Sequence, residues 1–230
     1  DKTYNGIVIK LGKNFSNISL LPNDIIIAGS SCGDKKLSEF AQKNGISGME
    51  FLSCIPGTVG GGLKMNAGCF DSEIKDILVS VQAVDRFGKV ISIPAKKILF
   101  EYRNNNLQDE LIFLSASFKG EKKNKDIIEK KMNEFKKKKA NSQPTKIKTS
   151  GSTFKNPINQ TEKKVWELIR SSVPKETTFG DAQISKKHAN FFVNKKNAQS
   201  SDMKSLINFV TKQVEEKTGI KLELEIVVVE

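Results

Sequence analysis

Four glycines fall within six positions of Ile55-Pro56-Gly57-Thr58-Val59-Gly60-Gly61-Gly62, and Met65-Asn66-Ala67-Gly68 follows closely. Glycines at that density bring backbone within reach of a ligand and aim several N–H groups at one place, which is how a phosphate is cradled. The order is neither G-x-G-x-x-G nor a P-loop, because no GK[ST] closes it. A tight turn between packed elements would use the same residues. Four other segments carry reactive types. Phe100-Glu101-Tyr102-Arg103-Asn104 offers a guanidinium that can hold a carboxylate or phosphate bidentately, or simply a surface arginine. Ser150-Gly151-Ser152-Thr153-Phe154-Lys155-Asn156-Pro157 gathers hydroxyls, an amine and an amide into a turn, where a held hydroxyl can donate a proton. Gly180 to Phe191 contains His188, the chain's one histidine, which before a strand more often serves as a structural hydrogen-bonder. Glu223 and Glu225 alternate with Leu222, Leu224 and Ile226, so both glutamates are expected on the face opposite the leucines. That face is either solvated or functional, since an unpaired carboxylate turned inward is costly.

The elements that position these residues are short. GIVIK (6–10) and DIIIAG (24–29) read as strands, and KLSEFAQKNG (36–45) as an amphipathic helix with Leu37, Phe40 and Ala41 on one face and Gly45 as its C-cap. VQAVDRFGKVISI (81–93) reads as a hairpin turning at 86–89, and LIFLSASF (111–118) as a buried strand. KDIIEKKMNEFKKKK (125–139) reads as a helix with an Ile128, Met132, Phe135 stripe and capping-box spacing between Asp126 and Glu129. ANSQPTKIKTSGS (140–152) reads as a polar linker, which places a domain boundary between 1–140 and 141–230. Beyond it come a helix near 162–171, a strand at 190–194, a helix from Asp202 as cap to Gly219 as stop, and a partly buried strand over 221–229. The class is α+β.

Composition narrows the function. Of 230 residues, 37% are hydrophobic and 28% charged, as in a globular protein with a core. No run of 18 apolar residues marks a membrane span, and the first residues show no signal-peptide core. The sequence opens on Asp1, not Met, as a trimmed or partial chain would. Cys32, Cys54 and Cys69 are odd in number and lack CxxC spacing, so free thiols are expected and no metal site. The net charge is +12, and Glu121 to Lys148 alone supplies +7 of it, from eleven lysines against four acids. That segment has one aromatic, Phe135, and no arginine, so it reads as a solvated helix more than as a nucleic-acid groove.

Taken in order, GMEFLSCIPGTVGGGLKMNAG, FEYR, QP…SGSTFKNP, GDAQISKKHANFFVN and LELEI resemble the successive signatures of the UDP-N-acetylenolpyruvoylglucosamine reductase family, from about Gly6 to Val229. The short interval between FEYR and SGS matches the shorter of the family's two types. The resemblance implies part of a flavin domain of the p-cresol methylhydroxylase/vanillyl-alcohol oxidase kind over 1–140, its N-terminal lobe lying outside these residues. A small α+β substrate domain then fills 141–230, its last strand returning to the active site. It implies an FAD enzyme that takes hydride from NADPH and reduces the enolpyruvyl ether of UDP-N-acetylglucosamine to UDP-N-acetylmuramate. The free thiols, the charge pattern and the lack of an apolar span add the expectation of a cytoplasmic protein with no nucleic-acid or membrane partner; the sequence does not reveal the oligomeric state, for which a monomer is the expectation.

Carried over by motif, Ser152 is the implied proton donor, and Arg103 with Glu225 the pair that polarises the substrate carboxylate. Tyr102, Lys155 and Asn156 are implied substrate contacts, and Ile55, Pro56, Gly57, Thr58, Gly61, Gly62, Asn66 and Ala67 implied flavin contacts. Four places depart from the family pattern: Asn105 stands where serine is usual, Cys54 where glycine is usual before Ile-Pro-Gly, Val173-Pro174-Lys175-Glu176 replaces a glycine-rich turn, and Asp181 replaces a glycine. Three alternatives stay open: another oxidoreductase of the same flavin fold, against which GSTFKNP and Glu225 argue; an inactive fragment, because a chain without the lobe would hold FAD weakly; and a basic protein binding nucleic acid or an anionic surface, whose affinity would fall steeply with salt.

Overall fold

The computed structural model describes residues 4–144 and 147–229. The chain forms two compact units: Val8–Lys139, and another holding the described residues from Ala140 onward together with 4–7.

The first unit is built on an antiparallel sheet. Its strands are β1 (Ile18–Leu21), β2 (Ile25–Gly29), β3 (Leu78–Val84), β4 (Val90–Pro94) and β5 (Ile112–Lys119), in the order β1-β2-β5-β3-β4. The β3–β4 hairpin closes at Asp85, whose Oδ1 accepts from Phe87 N (2.9 Å) and Lys89 N (3.0 Å), while Gly88 takes φ +81°. Central β5 registers Ala116 on Ala28 of β2 and on Val81 of β3, and all three side chains are buried. Helix α1 (Asp34–Lys43) buries Leu37 and Ala41 but leaves Phe40 half-exposed. Gly45 follows it at φ +68°, where a Cβ would stand 3.0 Å from Lys123 O, so both conformation and space favour glycine. Helix α2 (Val59–Lys64) carries the glycine cluster. Helix α3 (Lys125–Ser142) buries the expected stripe of Ile128, Met132 and Phe135, and Phe135 stacks on Phe70 at 4.6 Å.

The second unit pairs four antiparallel strands in the order β6-β9-β8-β7, with β6 at Lys148–Ser152, β7 at Thr178–Phe179, β8 at Ala182–Ile184 and β9 at Phe191–Asn194. Helices α4 (Val165–Ser172) and α5 (Ser200–Thr218) supply Leu168, Ile169, Leu206 and Val210 to a core that also holds Phe154 and Phe192. Gly219 ends α5 at φ +71°.

Several sequence expectations are corrected. GIVIK forms no strand: Ile7, Val8 and Ile9 are 77–88% exposed, because β-propensity needs a paired, half-buried surface and none is offered among the described residues. The helix at 125 starts on an Asn124 side chain that accepts from Asp126 N (2.8 Å), not on an Asp126–Glu129 box. The "linker" contains the end of α3 and all of β6, while 145–146 lie outside the described residues. Gln199, not Asp202, is the N-cap of α5, and Asp202 receives Gln199 N at 3.0 Å. The strand over 221–229 reduces to one bridge, Phe154 with Leu224, followed by a bend. Leu222 and Ile226 pack on the core and Leu224 is 37% exposed, so the alternation that put both glutamates on one face does not hold. Among the described residues no His, Cys, Asp or Glu cluster is placed to hold a metal ion, and no helix is long and apolar enough to cross a membrane.

Candidate active site

The glycine-rich loop is held in place by main-chain bonds. Asp34 N donates to Gly57 O (3.2 Å), Val59 N to Cys32 O (2.9 Å) and Gly60 N to Ser30 O (2.9 Å). Thr58 is the N-cap of α2. A Cβ at Gly60 would meet Ser30 Cβ at 2.9 Å and Ser30 O at 3.2 Å, so only glycine allows this approach. Gly61 turns the other way, and its added Cβ would find only Thr58 Oγ1, at 3.7 Å. Gly60, Gly61 and Thr58 line an open cleft of about 580 Å³, with Lys10, Lys13, Ser30 and Ser31 around it. Bare backbone beside hydroxyls and two lysines suits an anionic ligand, and the diphosphate of FAD fits that description. Thr58 and Gly61 would touch it from the loop. Lys10, Lys13 and Ser31 had no motif to mark them in the sequence.

The other residues expected at the flavin are placed differently. Ile55 and Ala67 are half-buried, Pro56 and Gly57 exposed, and Gly62 buried against Ile74. Asn66 is fully buried at φ +40°. Its amide donates to Glu73 Oε2 and Glu101 O, each at 3.1 Å, and accepts from Lys75 N at 3.1 Å. That side chain therefore ties the loop to the strand leading into Tyr102 and Arg103. Those two residues sit at the tip of a hairpin pairing Phe100–Glu101 with Asn104–Asn105. Arg103 takes φ +58°, donates from Nη2 to Gly68 O (3.2 Å), and lays its guanidinium 4.9 Å from the Tyr102 ring centre. Burial pushes the Cys69 thiol up to about 11 and raises Cys32 as well, which keeps both as neutral thiols.

In the second unit, Ser152 ends β6 opposite Phe191, just after Gly151 at φ +91° and a register shift. Asn190 clamps the residues that follow. Thr153 N donates to Asn190 O (2.8 Å), Phe154 N to Asn190 Oδ1 (3.0 Å), and Asn190 Nδ2 returns to Phe154 O (2.8 Å). The C-terminal segment runs alongside: Lys155 N donates to Glu223 O (2.8 Å) and Glu225 N to Thr153 O (2.9 Å). Half-buried Glu225 is thus brought next to the Ser152 strand, while exposed Glu223 faces the Lys155 ammonium at 3.7 Å. Asn156 Oδ1 accepts Val165 N at 3.0 Å and so holds the start of α4. His188 Nδ1 accepts Asn190 N (3.3 Å), its ring lies against Phe191 and Trp166, and burial lowers its pKa, so it stands as a neutral imidazole. Asn190 was visible in the sequence only as a member of a motif. Its clamp depends on pairing across 36 residues.

The chain is similar to known proteins. The C-terminal domain of UDP-N-acetylenolpyruvoylglucosamine reductase matches residues 143–229, and an FAD binding domain matches 1–94. The UDP-N-acetylenolpyruvoylglucosamine reductase of Pelagibacter ubique (strain HTCC1062) is 68% identical over 98% of this chain and 75% of its own length. The Rickettsia typhi protein of the same name is 45% identical over the same shares. The chain belongs to the UDP-N-acetylenolpyruvoylglucosamine reductase family. A crystal structure of the reductase from Thermus caldophilus superposes with a TM-score of 0.77 at 32% identity, over 89% of this chain and 72% of that one. The fold is that of the reductases, α+β with a flavin-binding domain.

One departure from the reductase pattern has a structural role here. Asn105, 7% exposed, donates to Leu63 O (3.0 Å) and Lys64 O (2.9 Å), the last carbonyls of α2, and accepts Leu107 N (2.9 Å). Asn105→Ala strands two carbonyls and one amide, and is expected to lower unfolding free energy by about 1–3 kcal/mol. Urea denaturation would register this as an earlier midpoint at unchanged slope. An unchanged midpoint would mean that water replaces the amide.

Proposed function

We infer that this chain is a flavin-dependent oxidoreductase that reduces the enolpyruvyl ether of UDP-N-acetylglucosamine to UDP-N-acetylmuramate for peptidoglycan synthesis, with NADPH as reductant. Family membership across 98% of the chain carries the reading. Bound FAD supplies the redox chemistry, the relay of a hydride from NADPH to the vinyl methylene carbon of the substrate. The adjacent carbon then gains negative charge shared with its carboxylate, and the protein's task is to stabilise that charge and quench it with a proton. Arg103 binds the carboxylate and holds the developing charge. Glu225 shares a proton with the enol oxygen. Ser152 delivers the proton to carbon. Tyr102, Lys155 and Asn156 bind the substrate. Ile55, Pro56, Gly57, Thr58, Gly61, Gly62, Asn66 and Ala67 form the flavin-contacting segment, with Gly62 and Asn66 shaping it from beneath and the others presenting backbone. The flavin domain extends over 1–140 and the substrate domain over 141–230. The three cysteines are free thiols, which accords with a cytoplasmic enzyme.

The absorbance spectrum of the purified chain, with and without added FAD, tests this. A flavin band that NADPH bleaches and the enolpyruvyl substrate restores is the expected result. A chain that takes up no flavin at any concentration would overturn the reading for these residues.

A further inference from the structure

Among the described residues four buried side-chain oxygens have no hydrogen-bond partner: both carboxyl oxygens of Asp34 and the hydroxyls of Ser38 and Ser172. Three of these lie together, because positions 34 and 38 are one turn apart on α1. Native proteins leave few such groups, and each calls for an explanation. Asp34 is 1% exposed. A Cβ built on Gly57 would stand 3.2 Å from Asp34 Oδ2, and one on Gly62 would stand 3.5 Å from Asp34 Oδ1. The carboxyl therefore packs directly under the glycine-rich loop.

Among the described residues no counter-charge acts on it. On α1 itself Lys35, Lys36 and Glu39 are the neighbouring charges. Glu50, in the short helix Glu50–Cys54 packed on α1, is already bonded to Ser47 Oγ and Gly48 N. Lys64, at the far end of α2, pairs with Asp109, and Lys139 donates to Cys54 O. The Cys32 thiol does feel Asp34, and it stays neutral. Burial alone acts on Asp34, and it pushes the carboxyl up to about 7.

We propose that Asp34 is a positioning residue for flavin binding: as the neutral acid it supports the Gly57–Gly62 loop, and once ionised it sets a buried negative charge against the anionic cofactor and loosens it. The proposal rests on the flavin reading above. FAD carries a diphosphate, so a carboxylate behind the loop opposes it in a medium that screens poorly. Linkage is reciprocal: if the proton favours FAD, FAD favours the proton and raises the Asp34 pKa further. The sign then follows. Below about 7, free and bound protein both hold the proton and the Kd is flat. Above it the free protein loses the proton that the complex keeps, and the Kd rises by up to about tenfold per pH unit, the limit for one proton. Folding has its own signature. The folded chain keeps a proton that the unfolded chain releases at the ordinary value of 3.8, so this group's contribution to stability falls as pH rises from about 4 towards 7.

The test is FAD titration of the full chain by flavin fluorescence between pH 6 and pH 9. Wild type should show the rise above neutrality, and Asp34→Asn, which mimics the neutral acid, should bind with a flat profile and tighter than wild type at pH 9. A carboxyl-carbon NMR titration of wild-type Asp34, with and without FAD, gives the same answer without a variant, as an apparent pKa near neutrality that FAD moves upward. A flat wild-type profile, an identical slope in Asp34→Asn, or an Asp34 that titrates in the ordinary carboxylate range would each overturn the role while leaving flavin binding intact. Failure to bind FAD at every pH would overturn the proposed function together with this one.

Discussion

Ser152→Ala should leave reduction by NADPH near its wild-type rate and slow the half-reaction with the enolpyruvyl substrate about 10²–10⁴-fold, the range for a positioned proton donor. The local structure makes this a clean experiment. The Ser152 hydroxyl has no hydrogen-bond partner among the described residues, so deleting it breaks nothing that holds the strand. The strand is anchored on both sides of it. Thr149 Oγ1 donates to Phe192 O at 2.8 Å before the irregularity at Gly151, and Asn190 clamps Thr153 and Phe154 after it. An alanine in the same place keeps that backbone, and the side chain is only half-buried, so little core is lost. Stopped-flow absorbance at the flavin band separates the two half-reactions. If both slowed equally, Ser152 would be shaping the fold and the proton would come from elsewhere, with Glu225, carried on the neighbouring segment through its N–H to Thr153 O, the next group to examine.

The contrast between Ser152 and Asp34 shows what the sequence could reveal. Ser152, Arg103 and Glu225 stand in motifs that carry the family resemblance, and the roles assigned to them come from that resemblance, since each residue type alone also fits a turn or a solvated surface. Asp34 lies two residues before the helix expected over 36–45, in a stretch with no motif to mark it, and the fold makes it the first residue of α1. Its significance comes from Gly57 and Gly62 lying over it, a contact across more than twenty residues that periodicity does not encode. Asn105 is similar. In the sequence it is only a departure from a family pattern, whereas in the fold its amide binds the last carbonyls of α2. Regular elements were legible where a side-chain stripe meets a core, as with Ile128, Met132 and Phe135, or where a turn residue is forced, as at Gly88 and Gly219. The two β-branched runs at the ends of the sequence misled for one reason. GIVIK and KLELEIVVV have the composition of strands, but a strand is defined by what pairs with it, and among the described residues only Leu224 of these runs forms a bridge.

Arg103→Lys should lower kcat/KM with the enolpyruvyl substrate about 10²–10³-fold while NADPH oxidation by the bound flavin persists, although the charge is kept. The reason lies in geometry. Arg103 holds a left-handed backbone at φ +58°, a conformation disfavoured for any side chain other than glycine and kept here by the Phe100–Asn105 hairpin. A guanidinium is a rigid fork with five N–H donors, and one of its nitrogens already binds Gly68 O at 3.2 Å while the plane faces the Tyr102 ring at 4.9 Å. Gly68 closes the Met65-Asn66-Ala67-Gly68 segment, and Asn66 bonds the strand that leads to Arg103, so loop and hairpin fix the fork from both sides. An ammonium has its three donors on one atom, at the end of a freely turning stem, and cannot keep the Gly68 bond and a bidentate carboxylate together. The backbone cost is the same for lysine, so urea midpoints should nearly coincide and any rate loss reports on recognition. If Arg103→Lys turned over at close to the wild-type rate, positive charge alone would suffice at this position and the bidentate role would be excluded. If stability fell in parallel with rate, the bond to Gly68 would be the residue's main task, and the carboxylate-binding role would be excluded.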